Sequence, residues 1–277
     1  MKLFSKTLLA LTCLCVFATS CKRESVATAK DDVSSAVLQQ IAAKGFSTEG
    51  VRKVDNGYLV EGDIVLTNNN LTEQSTSPTL LIANDEQYRT TNLVTVSGTR
   101  TVTVSVSGTL TSLAVWSDAA NAAIARYNAL PNRKLTFLRI TSGTGNIDLI
   151  GFDQGPSGGY ITLGSSGFPS GGNPYNQIKL NTNAQAYGSN PNLDYVTSVI
   201  QHEMGHCIGF RHTDYFNRAL SCGGAHSNER AGSIGAVLIP GTPSGFDAES
   251  FMLACSNGGN RPFNANDKIA MAYLYDH

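Results

Sequence analysis

The sequence predicts an α+β chain: a mixed sheet of short strands with helices packed on it. Three features carry that expectation. "TVTVSVSG", from Thr101, alternates apolar and polar residues as a half-buried strand does. "KLTFLRI", "IDLIGF", "YITLG" and "QIKLNT" are four further strand-length runs, separated by Gly- and Ser-rich turns such as "GSSGFPSGGNPY". Other stretches carry apolar residues at helical spacing.

In chain order, "DDVSSAVLQQIAAKGF" sets Val33, Val37, Leu38 and Ile41 at helical intervals and ends in Gly45, so a short amphipathic helix is expected. "GYLVEGDIVLT" has the β-branched content and brevity of a strand, and "NNNLTEQSTSP" reads as a polar connection closed by proline. This front section, residues 21–88, is too small to own a good core and is expected to lean on residues 89–277, the catalytic-sized domain. There, "VWSDAANAAIARYNAL" shows helical spacing through Val115, Ala119, Ala122, Ala123 and Tyr127 before Pro131. A second helix is expected from about Asn192 through Cys207, and a last one over "NANDKIAMAYLYDH", capped by Asn264 or Asn266.

With 41% hydrophobic residues over 277, the chain has ordinary material for one substantial core or two modest domains. Its 20 basic and 21 acidic residues build no broad positive field, so no nucleic acid is expected as a partner. The leader "MKLFSKTLLALTCLCVFATS" carries Lys2 and Lys6, an apolar run from Thr7 to Phe17, then small residues. That is the pattern of an export signal over residues 1–20, too short to remain as a membrane span. "ATSC" resembles a bacterial lipobox, in which Cys21 is lipidated and anchors a cell-envelope lipoprotein to the membrane, although Ala18 stands where such motifs usually carry Leu. The same Ala-x-Ser suits ordinary signal peptidase and a secreted product.

Cys13 and Cys15 leave with the leader, and Cys207, Cys222 and Cys255 remain in the folded part. One disulfide plus one packed thiol is the simplest account in an oxidising compartment. Cys207, on a helix beside a candidate metal ligand, reads as the thiol, leaving Cys222 with Cys255; sequence alone leaves other pairings open.

The chemistry is concentrated in "HEMGHCIGFRHTD", residues 202–214, which holds three of the five histidines. Positions four apart share one helical face, so His202 and His206 can offer ring nitrogens to one ion, with Glu203 beside them to take a proton from water. His212 cannot join along the helix, because six more residues add about 9 Å of rise against a zinc–nitrogen bond of about 2 Å. The helix must stop and turn back, and Gly209 is where that is sterically cheap. His226 and His277 read as loop and terminus residues without a role.

"HExxHxxGxxH" looks like the motif of metzincin zinc endopeptidases. Those enzymes carry a methionine turn beneath the metal, for which "ESFMLACSNG" supplies Met252, forty residues after His212; an ordinary core methionine is the plainer alternative. More narrowly, "VIQHEMGHCIGFRHTD" is similar to the bacterial family named for a dual-action HEIGH peptidase, with Met204 in place of Ile. The resemblance extends more faintly over "YLVEGDIVL", the "W...A...A..RYN" helix and the final helix. It implies a metzincin-like fold: a mixed five-stranded sheet over the zinc helix, and a small C-terminal subdomain with the Met-turn and terminal helix. It implies one catalytic Zn2+ held by His202, His206 and His212, with Glu203 as base, acting on internal bonds of protein or peptide substrates. An edge strand would pair with extended substrate, and "NQIKLNT", residues 176–182, is the candidate. A monomer is expected. The tyrosine that follows the methionine in some metzincins is absent, since Leu253 and Ala254 come next.

Two residues carry open readings. Asp214, two after His212, fixes the loop or hydrogen-bonds a ligand histidine, or is a solvated loop-capping aspartate. "VEGD", residues 60–63, resembles the Phe-x-Gly-Asp stretch of astacin-type pro-segments, whose aspartate binds the zinc and keeps the precursor latent. Asp63 would then be the latency ligand, with a cut between Asn68 and Asn92, for which Arg89-Thr90 is one accessible candidate. The plainer reading, a surface strand or bulge of a small accessory domain, is the one the sequence favours. The rival functional class is a non-catalytic, zinc-stabilised surface binding module. Glu203 argues against it, because a purely structural zinc takes four protein ligands and no base.

Overall fold

The helical spacing at the front becomes α1 (Ser35–Ala43), whose first turn is capped by Ser34 accepting from Val37 N. A computed structural model describes residues 33–72 and 87–276, apart from 132, 133, 158, 230–233 and 244. The leader, Cys21, residues 73–86 and His277 lie outside the described residues.

The single strand expected over "GYLVEGDIVLT" is a hairpin. β1 (Arg52–Val54), β2 (Gly57–Val60) and β3 (Ile64–Thr67) form an antiparallel meander, and the β2–β3 turn is Glu61-Gly62-Asp63. Glu61 has φ 55° and Gly62 φ 93°, and Glu61 is the one non-glycine with positive φ among the described residues. A left-handed conformation is uncommon for a side chain of that size and needs the surroundings to hold it. α2 (Asn68–Thr72) follows. Ile41, Phe46, Val60, Ile64, Leu66 and Leu71 form a small core completed by Phe168 and Ile234 from far along the chain, so the front section packs on the later part.

β4 (Tyr88–Arg89) opens the larger part, followed by β5 (Arg100–Val106), α3 (Ala114–Asn128), β6 (Leu135–Arg139), β7 (Ile147–Phe152), β8 (Gly164–Ser165) and β9 (Gln177–Asn181). The sheet order is β6-β5-β7-β9-β8; the first three pairings are parallel and β8 runs antiparallel to β9. "YITLG" yields only Gly164–Ser165, since Tyr160 is exposed and its backbone bonds to Ser157.

The substrate-pairing candidate, the stretch 176–182, is not the edge, because β7 takes one side of β9 and β8 the other. The edge on that side is β8, a Gly-Ser segment without the β-branched alternation that marks a strand in sequence. Its outer side meets the front section: Val65 N donates to Ser166 O (2.6 Å), Ser166 N to Asp63 O (2.9 Å) and Thr162 Oγ1 to Gly62 O (3.0 Å).

α4 (Ala184–Tyr187), α5 (Leu193–Ile208), α6 (Ala219–Cys222), β10 (Val237–Leu238) and α7 (Ala265–Tyr275) complete the order, with β10 antiparallel to β4. α5 is buried nearly all round, as a helix through the middle of a domain must be. Ala119, Ala120 and Ala123 give α3 a small-residue face, and α3 and α5 pack against each other. Tyr127 OH donates to Gln201 O (2.9 Å) and Tyr275 OH to Ile208 O, so helices on either side lock α5 by its carbonyls. Asn264 caps α7 in a reciprocal pair with Asp267. No helix among the described residues is long and apolar enough to cross a membrane.

Candidate active site

Asn192 starts α5 by accepting from Tyr195 N, and Gly209 ends it at φ 113°. A Cβ at Gly209 would meet Leu93 at 2.7 Å and Asn92 O at 3.0 Å, so both the backbone conformation and the close approach require glycine. The chain then doubles back and is pinned: Arg211 N donates to Tyr88 O (2.9 Å) and Thr213 N to Met252 O (3.0 Å). His212 is thereby returned to the helix face, with His206 Nε2 and His212 Nε2 3.2 Å apart.

A fourth donor comes from the front section. Asp63 Oδ2, on the β2–β3 turn, lies 3.1 Å from His212 Nε2 and 3.6 Å from His202 Nε2. One ligand atom each from Asp63, His202, His206 and His212 falls within 4.8 Å of the others. Burial alone would raise the Asp63 carboxyl, but the facing histidines hold it well below the carboxylate range.

The outer nitrogens of the three rings are all engaged. His202 Nδ1 lies 2.9 Å from Phe251 O, His206 Nδ1 2.9 Å from Phe210 O, and His212 Nδ1 2.8 Å from Glu229 Oε1. Each partner is an acceptor, so each Nδ1 carries a proton and Nε2 faces inward. At His212 burial would lower the ring, but Glu229 and Asp63 outweigh it and hold the ring well above its ordinary value, so a proton or a metal ion takes the Nε2 position beside Asp63. At 3.2 Å the facing Nε2 atoms of His206 and His212 need a cation between them, a proton or a metal ion. Among the described residues, Asp63 Oδ1 is buried with no hydrogen-bond partner. Burial holds His206 well below its ordinary value, with His202 and His212 adding to the effect, and so keeps it in the neutral form that ligates. Three imidazoles and a carboxylate around one point fit zinc.

Glu203 is 2% exposed and accepts from Ser166 Oγ at Oε2 (2.7 Å). Burial, and then Asp63, push its carboxyl well above the usual range, while the Ser166 hydrogen bond opposes them. The edge strand passes so close that a Cβ at Gly164 would come within 2.8 Å of Glu203 Oε1, which is why β8 is built of small residues there. Met252 is fully buried beneath the ligand helix, its Sδ 2.5 Å from where a Cβ on Gly205 would lie.

Of the roles open to Asp214, its bonds serve the loop. It accepts from Ala254 N (2.9 Å) and from Ser221, whose Oγ accepts from Cys255 N (3.0 Å), and a Cys222–Cys255 disulfide closes the same corner. Cys207 is a free, buried thiol. The carboxylate on a ligand ring is Glu229, in "SNER", which no spacing in the sequence marks. Burial would raise Glu229, but His212, Arg218 and Arg211 bring it down to about 2. Ser166 was equally unmarked, in a turn that reads as mere punctuation.

Residues 58–275 match the dual-action HEIGH metallo-peptidase family. The chain belongs to that family. In this HEIGH metallopeptidase the family motif is read by α5 and the turn at Gly209, and zinc is the cofactor. Among solved structures, one of myroilysin aligns at 18% identity over 69% of this chain and 98% of that chain, with a TM-score of 0.44. A crystal structure of myroilysin aligns at 18% identity over 65% and 87%, with a TM-score of 0.38. High choriolytic enzyme 1, a hatching enzyme zinc-protease from Oryzias latipes (medaka fish), aligns at 14% identity over 66% and 94%, with a TM-score of 0.36. No curated protein matches.

Proposed function

We propose that this HEIGH metallopeptidase is an exported zinc endopeptidase made as a precursor, held latent by its own front section. One observation carries the reading: the Asp63 carboxylate sits among the three inward imidazole nitrogens, 3.1 Å from His212 Nε2. A surface bulge would account for the turn but not for that carboxylate, whose side chain is only 14% exposed. With Asp63 in place four protein donors surround the centre; with it gone, three remain and one position opens, the arrangement of a catalytic rather than a structural zinc.

His202, His206 and His212 would hold the metal. When bound, zinc would supply Lewis acidity to the scissile carbonyl and to the attacking water. Glu203 takes a proton from that water and returns it to the leaving nitrogen as the peptide C–N bond breaks. Ser166 fixes the orientation of the Glu203 carboxylate, and Glu229 that of the His212 ring. Once residues 62–65 have left the outer side of β8, an extended peptide takes their place by main-chain bonds. Such pairing demands no free terminus, which supports cleavage of internal bonds.

The activating cut falls before Gln87. Arg89-Thr90 is a poor site, because Arg89 pairs with Val237 in the β4–β10 ladder and Thr90 is 1% exposed, donating to Gly209 O (2.8 Å). The leader and the disulfide support export, and lipidation of Cys21 would tether the product to the envelope.

The test compares the uncut precursor with its Asp63→Ala counterpart on a short fluorogenic peptide, with and without chelator. The variant is expected to cleave without processing and to lose that activity to the chelator. Equal latency in the two would sink the proposal.

A further inference from the structure

Glu61 reaches a place no surface turn needs. Its carboxylate is wholly buried, with Oε1 accepting from Ser47 N (3.2 Å) and Oε2 3.7 Å from Arg211 NH2. Arg211, one residue before the third histidine, is also wholly buried and lies 3.5 Å from Glu229 Oε2. Its guanidinium is stacked among rings: Phe46 at 4.7 Å, Tyr215 at 5.9 Å and Phe168 at 6.0 Å from the centroids. Arg218 closes the far side, with Nε 3.3 Å from Glu229 Oε1 and NH2 3.9 Å from where a Cβ on Gly62 would lie.

The ownership of these groups matters. Phe46, Ser47 and Glu61 belong to the front section, while Phe168, Arg211, Tyr215, Arg218 and Glu229 belong to the part after Gln87. Removing the front section takes away the roof and the Glu61 carboxylate together. It leaves a recess beside His212 with aromatic walls, the Arg211 and Arg218 guanidiniums and the Glu229 carboxylate, and takes from Arg211 the Glu61 carboxylate that faces it. Gly235 O accepts from Arg211 NH1 (3.1 Å), which holds the guanidinium in position from behind.

We infer that this recess is the substrate pocket for an acidic side chain, with Arg211 the residue that selects it and Glu61 its occupant in the latent chain. The inference rests on the latent-endopeptidase reading. A bulky residue in a left-handed turn is explained as the conformation that aims Glu61 at Arg211 while Asp63 reaches the histidines. The covering Phe46 departs with the front section, so a substrate carboxylate meets the guanidiniums without that lid. The expected product is therefore a cut next to Glu or Asp, the side chain lodging one position from the scissile bond or two.

The test uses the full chain nicked between Thr72 and Gln87, with the released fragment removed by gel filtration. Peptides identical except for Glu, Gln, Leu or Lys at each position flanking one cleavable bond are compared by kcat/KM. At one position Glu should exceed Gln on the order of tenfold or more, as a desolvated charge pair predicts, and the ratio should fall toward one in Arg211→Met. A second readout is anisotropy of labelled "YLVEGDIVLT", residues 58–67, against its Glu61→Gln form, on zinc-loaded and chelated protein. The Glu form should bind about tenfold tighter in both states, and Arg211→Met should lose the difference. Cleavage with equal rates for Glu and Gln, or a preference for Leu or Lys, overturns the pocket while leaving the peptidase standing. Glu-selective binding without any cleavage supports the pocket and overturns the peptidase reading.

Discussion

Glu229 Oε1 lies 2.8 Å from His212 Nδ1, and both side chains are wholly buried. The carboxylate fixes which ring nitrogen of His212 faces the metal and makes that nitrogen a better donor, whereas among the described residues His202 and His206 are backed by carbonyls. Glu229→Gln keeps an acceptor but removes the charge. Zinc affinity measured against a competing chelator should fall about 10- to 100-fold, with the far-UV spectrum unchanged. Unaltered affinity would mean that the pairing merely fills space.

Gly205 faces Met252 across a gap in which no side chain fits. An alanine there would put its Cβ 2.5 Å from Met252 Sδ and 2.9 Å from Phe251 Cε2. Inside a helix, Gly→Ala normally stabilises by roughly 0.5–1 kcal/mol, but overpacking a close-packed core costs about 1–3 kcal/mol. Overpacking should win. Urea unfolding of Gly205→Ala should show a net loss, and because Phe251 O supports His202, zinc affinity should drop with it. A stabilised variant would show that the methionine yields freely.

Asp267 ties the start of the later chain to its end. Its Oδ1 accepts from Gln87 Nε2 (2.7 Å) and Ser250 Oγ (3.0 Å), its Oδ2 from Phe251 N (3.2 Å) and Asn264 N (2.9 Å). Burial pushes its carboxyl up to about 6, with the bonds from Asn264 and Phe251 opposing. A folded value above the unfolded one, about 3.9, means that the native state binds the proton more readily. This group's contribution, on the order of 3 kcal/mol, is then complete below about pH 4 and lost as the pH rises through 6. Urea unfolding between pH 4 and 7 should show that decline in the native sequence and lack it in Asp267→Asn. Parallel profiles would disprove it.

The helices were legible because their signals are local. Asn192 and Asn264 cap where cap residues stand in the sequence, and Gly209 ends α5 where a left-handed residue is needed. The three histidines were legible for the same reason, since helical period and one glycine define their geometry. β8 was not, because two small residues beside Glu203 have no alternation to read, and an edge can be mistaken for its neighbour when the pairing partner is remote. Ser166 and Glu229 escaped because each meets its partner, Glu203 or His212, through the tertiary fold and at no characteristic spacing. Asp63 was legible only as a resemblance. Its position depends on a hairpin turn and on β8, and neither can be placed from sequence alone.

Glu203 offers the sharpest separation of chemistry from architecture. Its carboxylate is held by Ser166 Oγ (2.7 Å) under a strand so close that nothing larger than glycine fits at position 164. Glutamine preserves the length and can still accept from Ser166, so Glu203→Gln should fold, bind zinc and retain the Asp63 contact. It cannot accept the proton from water. The nicked variant should therefore lose about 10²- to 10⁴-fold in kcat, the usual worth of a positioned general base, with KM little changed. Ser166→Ala removes only the restraint on the carboxylate and should lower kcat by a smaller factor, again with KM little changed. Near-native turnover in Glu203→Gln, with zinc content equal to the parent, would mean that another group takes the proton.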